Sequence, residues 1–151
     1  MDDAGIYARE FEPLGRAVEI GVAGGKVVGV SFPETAPTDA ESDHPLLDRI
    51  DDYLAGASDH FDDVPVALTV PTDQRRVLDA VRKLPYGETV RRSRVANLAG
   101  FDGDDEDDLR LVAEALRENP VPLFVPDHRV EGVRGATPGD VAEALRRLER
   151  D

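Results

Sequence analysis

The densest group of reactive side chains is Pro126-Asp127-His128-Arg129-Val130, directly after the apolar run VPLFV at 121–125. A carboxylate beside an imidazole can hold or move a proton, and new acid–base chemistry there needs an enclosed pocket and a perturbed pKa. Adjacent residues usually point in different directions, however, and no partner Ser stands nearby. The same residues also read as two solvent-facing loop charges, Asp127 and Arg129, around a core histidine. The three His, at 44, 60 and 128, are scattered without ligand spacing, so no metal site is expected. The chain has no Cys, which excludes disulfides, thiolate zinc sites and a cysteine nucleophile.

The elements that must position this cluster follow from periodicity. Residues 16–22 and 26–32 are β-rich runs separated by Gly24-Gly25, a hairpin signal. From Pro45 to Ala55 the apolar residues Leu46, Leu47, Ile50, Tyr53 and Leu54 have helical spacing, and Gly56 ends the run. Residues 64–70 (VPVALTV) predict a strand or an extended connector. A helix capped by Thr72 or Asp73 carries Val77, Leu78, Val81 and Leu84 on one face and stops at Pro85-Tyr86-Gly87. A short helix over about 92–99, an acidic turn at 101–108 and a helix to Asn119 follow, then VPLFV as an extended segment. Thr137-Pro138-Gly139-Asp140 offers an N-cap, a first-turn Pro and an acid for a capping box, opening a last helix with Val141, Leu145 and Leu148 on one stripe. Two short helices joined by a turn, with a flanking helix and extended segment, outline a helix-turn-helix of winged type.

With 151 residues the chain suits one domain or two small ones. It carries 32 Asp plus Glu against 18 Lys plus Arg, for a net charge of −14. Such acidity ordinarily argues against nucleic acid, whose phosphates are bound by Lys and Arg. Here, though, Lys occurs only at 26 and 83 and Asp is spread from end to end, the style of a salt-adapted (halophile) protein. At ~1 M salt the Debye length is about 3 Å, so distant charges are screened and the net charge does not veto DNA. No run of about 18 apolar residues exists, and MDDAGIYARE lacks a signal-peptide pattern. A cytoplasmic monomer with no membrane partner is the expectation.

Three motifs taken together carry a resemblance: PYGET at 85–89, NPVP at 119–122 and PDHRV at 126–130. Their order and spacing resemble the C-terminal domain of the DNA alkyltransferase family, which repairs guanine alkylated on its carbonyl oxygen. The match covers roughly 71–151, and the hairpin, LLDRIDDYLAG and VALTVPTDQRRVL resemble the family's N-terminal domain more loosely. The resemblance implies an α+β fold with an RNase H-like α/β domain over 1–70 and a helical winged helix-turn-helix domain over 71–151. It implies double-stranded DNA carrying an alkylated guanine as partner, a repair-pathway protein as a second partner, and no cofactor. Family members flip the damaged nucleotide out of the duplex, as chemistry on a stacked base requires. They move the alkyl group to a Cys activated through His, water and Glu.

By that resemblance His128 and Glu149 match the activating pair, Arg110 the arginine that fills the gap left by the flipped base, Asn119 the hinge Asn, and Arg129 the motif Arg, with Arg92, Arg110, Asn119 and Arg129 assigned to DNA. From the residues alone, Arg110 also reads as an exposed helix arginine pairing with Glu114, Asn119 as a helix end, and Glu149 as a surface residue beside Arg146 or Arg150. The departures from the family pattern are specific. Asp127 stands where the acceptor Cys belongs, Arg92 where the family has Tyr, and Glu114 where a small residue faces DNA. The loop closing the base pocket shortens to Thr137-Pro138-Gly139, and six acids crowd the turn from Asp102 to Asp108. These features imply a Cys-less, alkyltransferase-like protein that binds alkylated DNA without accepting the group. The alternative is a winged-helix regulatory or protein-interaction module that has lost lesion recognition.

Overall fold

The computed structural model describes residues 4–150. It is a mixed α+β structure whose N-terminal half is built on an antiparallel sheet and whose C-terminal half is helical. Strands β1 (Gly5–Phe11), β2 (Arg16–Ala23) and β3 (Lys26–Ser31) lie in that order. The β2–β3 hairpin turns on Gly24 and Gly25, both at positive φ (59° and 76°), as a tight two-residue hairpin turn demands. β2 contributes Ala17, Val18, Ile20 and Val22 to the core. β1 adds a third strand to the expected hairpin. Its sequence, GIYAREF, interleaves charges with apolar residues and buries only Ala8 and Phe11, so its pattern is weak.

Helix α1 (Pro45–Leu54) is capped by His44, whose Nδ1 accepts from the Leu46 N–H at 3.0 Å, and it buries Leu47, Ile50, Tyr53 and Leu54. Residues 64–70 form the extended connector rather than a full strand. The Val27 N–H donates to the Pro65 carbonyl and the Ala67 N–H to the Val27 carbonyl, both at 2.9 Å, while Pro65 within the run and Pro71 directly after it withhold donors.

The helical half contains α2 (Thr72–Arg82), α3 (Arg92–Leu98), α4 (Glu106–Arg117) and α5 (Gly139–Arg150). α2 packs on α3 and α4. Neither Thr72 nor Asp73 caps α2. Pro71 occupies the cap position, without a side-chain bond. α4 starts at an Asp105 cap whose carboxylate accepts from the Asp107 and Asp108 N–H groups. Three acids in its first turn complement the helix dipole. VPLFV is no extended segment. It forms a buried turn closed by the Val125 N–H on the Val121 carbonyl at 2.9 Å, with Leu123 at φ 78°. An apolar run of five residues has no periodicity with which to tell these apart. Two short strands, β4 (Val90–Arg91) and β5 (Val130–Glu131), pair in parallel and tie the end of PYGET to the end of PDHRV. The core runs through both halves: Phe61 meets Tyr53 and Phe124 edge-on, each with 5.3 Å between ring centroids.

Candidate functional site

Asp127, His128 and Arg129 form one 3-10 turn between the VPLFV turn and β5, and all three are buried. The Asp127 carboxylate accepts four hydrogen bonds. Its Oδ2 takes Asn119 Nδ2 (3.1 Å) and the N–H groups of Ala136 (3.1 Å) and Thr137 (3.3 Å), and its Oδ1 takes the Thr137 hydroxyl at 2.5 Å. Burial pushes its pKa up, while the bonds from Thr137 and Asn119 oppose that rise. Gly135 lies flat against this carboxylate: a Cβ there would sit 2.6 Å from Asp127 Cγ. Asp127 therefore fastens the loop over 131–138 onto the turn. The Thr137 hydroxyl donates there, and α5 begins two residues later at Gly139.

Glu149, on the last turn of α5, is the second hub. Tyr53 Oη donates to its Oε2 at 2.5 Å, His128 Nε2 to the same oxygen at 2.8 Å, and Gly87 N–H to Oε1 at 3.2 Å. Arg129 grips both oxygens with Nε and Nη2, each at 2.9 Å, and its Nη1 donates to the Leu84 carbonyl. Burial alone raises Glu149, but the bonds from His128 and Arg129 outweigh it and hold the carboxyl far below the usual carboxylate range. Burial and the neighbouring Glu149 charge push the Tyr53 phenol well above its ordinary value. A carboxylate only accepts, so His128 carries its proton on Nε2. The buried Nδ1 meets no hydrogen-bond partner among the described residues. An imidazole oriented by a carboxylate on one nitrogen and idle on the other is equipped to take a proton from a neighbour.

The structure gathers Asp127, His128, Asn119, Arg129 and Glu149 and leaves Arg92 and Arg110 apart from them. Two of the residues assigned to DNA by resemblance are buried. Arg129 is 3% exposed with its guanidinium committed to Glu149. Asn119 is 4% exposed and braces the turn through the Val125 carbonyl, Asp127 and the Val121 N–H. Neither faces a surface. Glu149 is likewise no surface residue. Arg110 is exposed on the first turns of α4, bound to Asp107 at 3.2 Å instead of Glu114. Arg92 is exposed at the start of α3 and borders a shallow cleft with Leu109 and Gly132. Sequence reasoning missed Tyr53, Gly87 and Gly135. Only Tyr53 carries a signal, because a phenol on a core-facing helix stripe must find a partner when buried.

A family model described as 6-O-methylguanine DNA methyltransferase, DNA binding domain, matches residues 72–150, which contain every residue of both hubs except Tyr53. The chain belongs to that family. Among its relatives, the methylated-DNA–protein-cysteine methyltransferase of Metallosphaera sedula is 31% identical over 134 residues, 87% of this chain and 80% of the relative. That of Methanopyrus kandleri is 36% identical over 92 residues, 61% of this chain and 66% of the relative. The crystal structure of Mycobacterium tuberculosis OGT in complex with DNA superposes with a TM-score of 0.76 at 28% identity, covering 96% of this chain and 92% of that one. A methyltransferase family named for protein cysteine thus contains a chain with no cysteine.

Proposed function

We propose that this chain is a DNA repair protein that binds duplex DNA at an alkylated guanine and does not accept the alkyl group. The observation that carries the reading is the state of Asp127. Alkyl transfer needs an exposed, electron-rich nucleophile, a role the thiolate fills once its pKa is lowered. Asp127 offers instead a buried carboxylate whose lone pairs are engaged by four donors. His128 and Glu149 keep the geometry of an activating pair, with nothing beside them to activate. In this reading the 71–151 region works as a winged helix-turn-helix behind an RNase H-like domain over 1–70. α3 and α4 face the duplex, and Arg110 enters the stack once it leaves Asp107. DNA binding in the M. tuberculosis relative supports the partner assignment.

The test is a titration, in high-salt buffer, against duplexes that differ only by O6-methylguanine or guanine at one position, followed by intact mass of the protein. Tighter binding to the lesion with unchanged mass is the expected result. Equal affinity for both duplexes sinks lesion sensing and points to the interaction-module alternative, and a methyl ester at Asp127 sinks the claim of no transfer. Arg110→Ala should lower lesion affinity while leaving the melting temperature in place.

A further inference from the structure

We infer that the groove between α2 and α3 is a docking surface for another protein, and that its occupant is an acidic amphipathic segment. Charge is spread unevenly along the chain. Residues 74–100, from the first turn of α2 to the Gly100 that follows α3, carry seven Lys and Arg against two acids, Asp79 and Glu88. The rest of the chain carries eleven against thirty. A net +5 is thus concentrated on one stretch of a chain whose total is −14.

Part of that charge rims an open groove of about 590 Å3. Arg76, Asp79 and Lys83 follow one stripe along α2 and its C-cap, Arg94 and Leu98 one stripe of α3, and Glu88 lies between the helices. Leu84 and Val90 give the groove an apolar lining, and Leu98 stands 51% exposed beside them. Arg76 is already fixed. Its Nη2 donates to the Ala99 carbonyl at 3.1 Å and its guanidinium lies over the Phe101 ring, so this wall has little freedom left to lose on binding. The side chains of Lys83 and Arg94 make no ion pair or hydrogen bond among the described residues, and Asp79 is shared with Arg82, whose charge it favours. A phosphate backbone has no use for an apolar lining and is repelled by Asp79 and Glu88. A helix that lays apolar residues on Leu84, Val90 and Leu98 and sets carboxylates beside Lys83 and Arg94 uses both features. Ion pairs half withdrawn from water in this way are screened by salt less than open surface pairs. The groove shares only Leu84 with the Glu149 hub, through the carbonyl that Arg129 holds, so docking does not require lesion binding.

A random peptide library displayed on phage and selected against the whole chain tests the inference. It should yield sequences that combine Leu, Ile or Phe with Asp and Glu at helical spacing. A synthetic peptide of the enriched sequence should bind in a fluorescence-anisotropy titration. Leu98→Ser and Arg94→Glu should each weaken it about tenfold, and Arg94→Lys should hold most of the affinity. Both positions are exposed, so circular dichroism should show the same melting temperature for all three variants. Arg147→Glu, an exposed charge outside the groove, should leave peptide binding unchanged. No enriched sequence, an enriched sequence without acids, or equal weakening by Arg147→Glu overturns the assignment. Substitutions in the groove that weaken duplex binding and spare the peptide overturn it too, and mark the rim as a phosphate contact.

Discussion

Asp127 holds a loop in place, and two substitutions separate that role from its charge. Asp127→Ala strands the Thr137 N–H and hydroxyl and one Asn119 amide hydrogen, at about 1–3 kcal/mol or more, while the Ala136 N–H keeps the Leu116 carbonyl at 2.9 Å. Asp127→Asn can keep every bond, its carbonyl oxygen facing the three N–H donors and its amide donating to the Thr137 hydroxyl. Because burial raises the folded pKa of Asp127 above its unfolded value of about 3.9, its favourable contribution is complete below that pH and is lost as pH rises through the folded value. Asn should match the wild type within about 1 kcal/mol near pH 4 and gain on it toward pH 7, as read from denaturant midpoints. If Ala and Asn behaved alike, Asp127 would not be an anchor. Glu149 has the opposite sign. Its folded pKa is depressed, so its bonds stabilise the fold above the unfolded value of about 4.3 and are lost as pH falls. Glu149→Gln should flatten the acid limb of the stability profile and cost about 3–5 kcal/mol at neutral pH by leaving Arg129 buried without its counter-charge. From sequence, Asp127 and His128 stand out by their types and their motif. The bonds of Tyr53, Gly87 and Arg129 to Glu149 do not, because these residues meet it only through tertiary packing.

At the scale of elements, the turn joining α3 to α4 holds the two helices in register through Gly103. Its N–H donates to Asn97 Oδ1 at 2.8 Å, and an added Cβ would lie 2.5 Å from the Ser93 carbonyl oxygen. Gly103→Ala should therefore spread α3 from α4, at roughly 1–3 kcal/mol, with a lowered thermal midpoint as the readout. An unchanged midpoint would show that the turn can shift freely. Helices α1, α2, α3, α4 and α5 were legible because each keeps an apolar stripe at helical spacing over seven to twelve residues. What sequence could not show was where local polar groups spend their hydrogen bonds. Thr137 and Pro138 look like a helix start, but the hydroxyl is drawn to Asp127. VPLFV looks extended, but Asn119 and the Val121 carbonyl fold it into a turn.

For the whole molecule, the net charge of −14 sets a background of self-repulsion that salt relieves. The melting temperature should rise by about 3 °C or more between 0.1 and 1 M NaCl, measured by circular dichroism at constant pH. No rise would remove the basis for reading the composition as salt adaptation. Exposed pairs such as Arg9–Asp48 and Arg16–Asp140 weaken over the same interval, so a net gain must come from screening across the surface.

The bond from Tyr53 to Glu149 has a consequence for how the chain comes apart. It joins a side chain of α1 to the end of α5, ninety-six residues later, at the same carboxylate that holds PYGET and PDHRV. The N-terminal sheet and the helical half thus share a keystone, and neither can open locally without exposing a buried charge. Calorimetry should show one endotherm, with both halves melting as a single foldon, and Tyr53→Phe, which keeps the ring and removes the bond to Glu149, should lower its midpoint without splitting it.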